Sequence, residues 1–229
     1  DYAARTNTPI VTGCEVTSVS RVGARYRVTT SLGTWLARTV VLATGACNAP
    51  SVPKAASELP AGITQLTPFD YRSPDCVPEG GTLIVGASAT GLQLANELLE
   101  AGREVTLAAG EHVRMPRRYR GRDIFYWMTH CGIHDQHYTE VEDITRGRSL
   151  PSPQLVGSSD LPILDINHLK DKGTRIAGRF MRAWNGEAQF SGSLGNVCAL
   201  ADLKMKRLLK LIDETADKEG APPAEAFAP

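Results

Sequence analysis

The chain has 229 residues, with 25 basic and 25 acidic side chains and no formal net charge, enough length for one large domain or two small ones. A neutral balance without interleaved basic and aromatic residues argues against a dedicated nucleic-acid binder. No apolar run approaches the roughly 18 residues of a membrane-spanning helix. The five cysteines, Cys14, Cys47, Cys76, Cys131 and Cys198, are scattered. That spacing excludes a C-x-x-C redox centre and a zinc ribbon within this chain, and it fits reduced thiols. The start, D-Y-A-A-R-T-N-T-P, lacks the apolar core of a signal peptide, so the expected location is cytoplasmic.

In chain order, residues 10–19 alternate as a strand does. Residues 25–31 set Tyr26, Val28 and Thr30 against Arg25, Arg27 and Thr29, and Ser31-Leu32-Gly33 turns the chain into residues 34–38. This predicts a three-stranded antiparallel meander. T-V-V-L-A over residues 39–43 then reads as a continuous buried strand that ends at Thr44-Gly45. Residues 50–81 hold Pro50, Pro53, Pro60, Pro68, Pro74 and Pro78 and read as a connector.

Residues 81–110 organise the rest. Residues 82–85 are a short apolar run, as a buried parallel strand should be. Gly86, Ser88 and Gly91 form G-x-S-x-x-G, a variant of the dinucleotide-binding turn. Leu92, Ala95, Leu98 and Leu99 follow at helical spacing, Gly102 stands at the helix end, and residues 103–108 return as a strand. Gly86 permits the tight turn and Gly91 lets helix and strand approach. The free N–H groups at the helix start then face a pyrophosphate. Ser88 replaces the middle glycine, and its Cβ narrows the room. The candidate contacts are Gly86, Ala87, Ser88, Ala89, Thr90 and Gly91; the plain alternative is a tight structural turn.

The position that grips the ribose 2′-hydroxyl of NAD is acidic in such units, and here it falls near Ala109. Downstream, H-V-R-M-P-R-R-Y-R-G-R carries Arg114, Arg117, Arg118, Arg120 and Arg122. Arginine matches a 2′-phosphate with forked donors. NADP(H) is therefore favoured over NAD(H), with Arg114, Arg117 and Arg118 as candidate readers and Glu111 as the residue that keeps NAD(H) open. A solvated loop with arginines paired to Asp123 or Glu111 is the bland alternative.

Residues 123–130 predict a short apolar-aromatic helix. His130, Cys131, His134 and His137 follow, but Gly132 breaks the helix that would align them, so no metal site is assigned. Residues 149–162 read as a loop and 165–172 as a helix capped by Asp165 or Asn167. Residues 174–184 read as one strand turning at Asn185-Gly186 into 188–190. Residues 198–218 predict a long amphipathic helix with Leu200, Leu203, Leu208, Leu211 and Ile212 on its apolar side and Lys204, Lys206, Arg207 and Lys210 opposite. Residues 219–229 read as a flexible tail.

The run V-V-L-A-T-G-A-C-N-A-P-S-V-P ahead of a glycine-rich strand–helix–strand unit resembles flavin-containing monooxygenases and related oxidoreductases with two dinucleotide domains. The resemblance spans roughly residues 5–215. It implies an α/β fold in which a Rossmann-like NADPH domain follows an antiparallel meander of an incomplete FAD domain. It also implies that Ala43, Thr44 and Gly45 border FAD and that Gly86, Ser88, Thr90 and Gly91 meet NADPH. No G-x-G-x-x-G stands upstream of Gly45, and Thr67 holds the place of the histidine in the monooxygenase fingerprint. The expected organisation is a partial FAD segment over 1–50, a connector over 51–80, the NADPH domain over 81–218 and the tail. Hydride would pass from NADPH to an FAD held by missing FAD-domain segments or a partner chain. A non-catalytic dinucleotide-binding module or sensor subunit is the alternative. No catalytic residue is assigned.

Overall fold

The computed structural model describes residues 2–45, 49–157, 163–220 and 222–223; the expectations for residues 46–48, for part of the 149–162 loop and for most of the tail lie outside them. The chain divides into two compact units, residues 1–49 and 50–229.

In the first unit a short helix α1 (Tyr2–Arg5) precedes β1 (Val16–Val22), β2 (Arg25–Thr30) and β3 (Gly33–Ala37). They form an antiparallel meander in the order β1-β2-β3, with Val28 opposite both Val19 and Trp35. The first strand begins six residues later than its alternation suggested, at Val16 rather than Ile10. Residues 39–45 form no strand, and Val41 and Leu42 are 82% and 79% exposed. An apolar run becomes a parallel strand only where neighbours complete its ladder, and none of the described residues does so.

The second unit is built on β4 (Thr82–Val85), α2 (Ala89–Glu100), β5 (Val105–Ala108) and β8 (Arg175–Ala177). The strands form a parallel sheet in the order β4-β5-β8, and Val85, Ala108 and Ala177 stand in register at their C-terminal ends. Between β5 and β8 lie the hairpin β6 (Arg118–Tyr119) and β7 (Arg122–Asp123), then α3 (Ile124–His130), α4 (Ile144–Arg148) and α5 (Ile166–Asp171). After β8 come the hairpin β9 (Phe180–Trp184) and β10 (Glu187–Phe190) and the long helix α6 (Leu194–Lys218).

One core gathers Leu92, Ala95 and Leu98 of α2, Val105 and Leu107 of β5 and Leu169 of α5. A second gathers Trp127, Ile124 and Tyr119 against Met205, Leu209, Ile212 and Ala216 of α6. The buried stripe of α6 is thus Ala201, Met205, Leu209, Ile212 and Ala216, while Leu200, Leu203 and Leu211 are exposed. The expected apolar side was rotated, because alanine and methionine fill the contact that leucine content had pointed to. β4 also differs from expectation: Leu83 and Val85 are exposed, while Ile84, on the other face of the strand, packs against the first core. The single strand expected over 174–184 is broken at Gly178. A Cβ there would lie 2.0 Å from the Ser191 carbonyl oxygen, so the chain can leave the parallel sheet and start the β9–β10 hairpin only at a glycine. Asn185 and Gly186 both take positive φ, 51° and 78°, as the tight hairpin turn demands. Glu219 and Pro222, in the expected tail, are held: Glu219 by His130, and the Pro222 carbonyl by the Arg120 Nε at 2.7 Å.

Candidate functional site

The site is the row of strand ends. The Gly86 N–H donates to the Ala108 carbonyl at 3.0 Å, and the Ala109 N–H donates to that of Ala177 at 2.9 Å. The ladder therefore continues one residue past each strand before the chain turns. Gly86 takes φ +115°, which a side chain would oppose. Gly91 is constrained by distance: a Cβ on it would lie 2.0 Å from the Gly86 carbonyl oxygen. The first turn of α2 thus presses directly on the turn that precedes it. Ser88 has extended backbone and makes no side-chain cap, and the first bond of α2 runs from the Leu92 N–H to the Ser88 carbonyl at 3.1 Å. The N–H groups of the first turn are left for another acceptor, with the helix dipole behind them. Ala87 is buried, Ser88 and Ala89 are half-buried, and Thr90 is exposed.

Beneath this turn sits Gln154, a buried side chain that sequence reasoning passed over. Its Nε2 donates to the Ala87 carbonyl at 2.7 Å, and its backbone N–H donates to the Val113 carbonyl at 2.8 Å. Its Oε1 is buried with no partner among the described residues. A lone glutamine in a polar loop, 67 positions from its partner, carries no sequence signal.

The candidate arginines are placed differently from one another. Arg114 is buried, with Nη2 2.9 Å from Asp165 Oδ2 and Nη1 2.9 Å from Asp202 Oδ1. Asp165 also caps α5 through the His168 N–H. Arg117 pairs with Asp123 at 2.8 Å and lies over the Phe125 ring. Arg118 is exposed, and its Nη2 donates to the Gly121 carbonyl at 3.4 Å. The charges of Arg114 and Arg117 are thus met by carboxylates inside the domain. Glu111 is paired with Lys204 of α6 at 2.6 Å. That hydrogen bond and charge hold its carboxyl below the ordinary value, with Arg146 and Arg179 adding to the effect.

In the first unit Ala43, Thr44 and Gly45 lie on exposed chain outside any strand, and Gly45 takes φ +77°. Thr67, in the place of the fingerprint histidine, closes a turn: its hydroxyl donates to Asp70 at 2.7 Å. Tyr71 packs on the first core, and burial pushes its phenol up to about 12. His134 bonds Thr129 and His137 bonds Thr139, and no three His, Cys, Asp or Glu side chains converge among the described residues. Two open hollows, lined by residues between Cys131 and Leu150, include none of the glycine-turn residues. No helix among the described residues is long and apolar enough to cross a membrane.

The fold and site define a mixed α/β protein with a meander and a parallel strand–glycine turn–helix–strand unit. Residues 1–128 match the pyridine nucleotide-disulphide oxidoreductase family, and the chain belongs to that family. The membership agrees with the resemblance read from the A-T-G run and the glycine turn. It implies a flavin and a nicotinamide dinucleotide as cofactors. Among curated proteins the chain is similar to an uncharacterized CzcO-like oxidoreductase of Geobacillus kaustophilus, 36% identical over 138 residues, which are 60% of this chain and 39% of that protein. It is also similar to an uncharacterized oxidoreductase, CzcO, of Bacillus subtilis, 26% identical over 140 residues, 61% of this chain and 41% of that protein. The chain therefore spans about two-fifths of the length of the curated relatives it matches. A flavin-containing monooxygenase from Stenotrophomonas maltophilia aligns in structure with TM-score 0.44 and 18% identity, over 92% of this chain and 73% of that one; a likeness this distant carries no conclusion about activity.

Proposed function

We propose that the chain is the nicotinamide-dinucleotide-binding portion of a flavin-dependent oxidoreductase, with NADP(H) as the dinucleotide and FAD bound largely by residues outside this chain. The observation that carries the reading is the contact at Gly91, where only glycine lets α2 start against the Gly86 turn. It stands where the ends of three in-register parallel strands meet. The order β4-β5-β8, with α2 crossing from the first strand to the second, supports the reading, because a mononucleotide-binding half of a Rossmann sheet uses that order.

In this reading the N–H groups at the start of α2 bind the pyrophosphate and Thr90 lies at the mouth of the site. Gln154 holds Ala87 so that the turn keeps its shape. NADP(H) is favoured because Ala109 offers no acceptor for a 2′-hydroxyl and Glu111 is engaged by Lys204. Ala43, Thr44 and Gly45 are proposed to border FAD, which would accept the hydride that the nicotinamide supplies.

The test is Thr90→Asp, read by NADPH fluorescence on titration into the protein. A carboxylate in the first turn favours the helix itself but repels a pyrophosphate, so loss of binding cannot be put down to a broken helix. Affinity is expected to fall at least about tenfold, or about 1.4 kcal/mol. Unchanged affinity in a folded variant would remove the site from α2. In the full-length protein, NADPH oxidation with FAD bound separates the enzyme from a non-catalytic sensor.

A further inference from the structure

The strand ends hold a second feature that the glycine turn does not use. Arg179 follows β8 by two residues, at the edge where β5 ends. Its Nε lies 3.3 Å from the point that a Cβ on Gly110 would occupy, with Nη2 at 3.7 Å. The guanidinium thus rests in the space that Gly110 leaves open. Both sides of this contact are held. The Gly110 carbonyl is bonded by His112 Nδ1 at 2.9 Å, and the Arg179 carbonyl accepts from the Ser191 N–H at 2.9 Å. Gly178, just before, is fixed by its close approach to Ser191.

Glu111 feels Lys204, Arg146 and Arg179. Lys204 is paired with it. Arg179 and Arg146 are exposed, and neither side chain has an ion pair or hydrogen bond among the described residues. Arg179 is thus a cation just past the end of β5 with no carboxylate partner among the described residues. In a dinucleotide-binding half-sheet the adenine ribose lies over the end of that second strand.

We propose that Arg179, seated in the gap at Gly110, reads the 2′-phosphate of the dinucleotide and sets its choice of NADPH over NADH. The inference rests on the reading of the Gly86–Gly91 turn as a dinucleotide site. It reassigns the phosphate-reading role from Arg114 and Arg117, whose carboxylate partners already satisfy them, to a side chain from a later strand. The donors suit the ligand: a guanidinium offers a fork to a dianionic phosphate, and a ribose hydroxyl has no charge to match it.

The experiment measures equilibrium binding of NADPH, NADH and 2′,5′-ADP to the protein and to Arg179→Gln. The exposed position should leave the fold intact, as circular dichroism would check. The substitution is expected to weaken NADPH and 2′,5′-ADP at least about tenfold and to leave NADH within about twofold. Gly110→Ala, which crowds the guanidinium, should give a smaller loss with the same selectivity. Equal losses for NADPH and NADH, no loss at all, or a parent protein that prefers NADH would each overturn the inference while leaving the dinucleotide site standing. A parent protein that binds neither dinucleotide would overturn the site itself.

Discussion

The two tryptophans Trp35 and Trp127 compare the two units. Trp35, on β3 of the meander, is 45% exposed, and every residue of β1 is exposed. Trp127, on α3, is 1% exposed and donates its indole N–H to the Tyr119 carbonyl at 2.7 Å. Both regions have regular backbone hydrogen bonding. Among the described residues, only those of the second unit add helix over sheet and helix over helix around a buried core. A three-stranded sheet with no buried residue among those described has its ladder and little else. Hydrogen-bonded regularity and hydrophobic stabilisation are therefore separable within one chain.

The comparison is broken most sharply by truncation. Trp127→Ala is expected to cost about 3–5 kcal/mol, whereas Trp35→Ala, within the described unit, should stay within about 0.5 kcal/mol. Urea unfolding of the two variants measures both, and equal losses would show that the meander carries a hidden core. Next in size is Arg114→Met, which strands Asp165 and Asp202. Breaking a buried pair costs about 3–5 kcal/mol, and the lower end applies because Asp202 keeps some water. The same experiment on Arg118→Ala should show no measurable change. A small loss at Arg114 would return it to the ligand-binding candidates.

The smallest effect sharpens the comparison through pH. Burial, followed by the hydrogen bond to Asp213, pushes the Tyr119 phenol up to about 12 from 10.0. The folded state favours the protonated phenol. Its contribution is therefore complete below pH 10 and is lost as pH rises from there through about 12. Unfolding followed across that window should show a decline in the parent protein that Tyr119→Phe reduces. An identical decline in both would assign the loss to other groups, Tyr71 among them.

Local chemistry was legible wherever neighbours in sequence are neighbours in space. The meander, the Gly86–Gly91 turn, the helix beginning at its end and the Asn185-Gly186 hairpin all follow from side chains a few positions apart. Two readings failed for one shared reason. Residues 39–43 have the composition of a buried strand, but a parallel strand is defined by partners that the described residues do not supply. The helix after Ser193 has Leu200, Leu203 and Leu211 on one side and Ala201, Met205, Leu209, Ile212 and Ala216 on another. Only the position of Trp127 and Tyr119 decides which side is covered. The arginines after β5 look alike in sequence, and their fates were set by Asp165, Asp202 and Asp123, two of them far along the chain.

The sequence by itself determined the glycine turn, the helix that follows and the family they announce, because φ preferences, helix starts and side-chain period are local properties. Tertiary structure alone decided which cations remain available at the strand ends. It buried Arg114 against two carboxylates, paired Lys204 with Glu111, placed Gln154 under Ala87 and brought Arg179 into the space beside Gly110. Electrostatic availability depends on distances through space, and residues 51 to 93 positions apart acquire those distances only when the chain has folded.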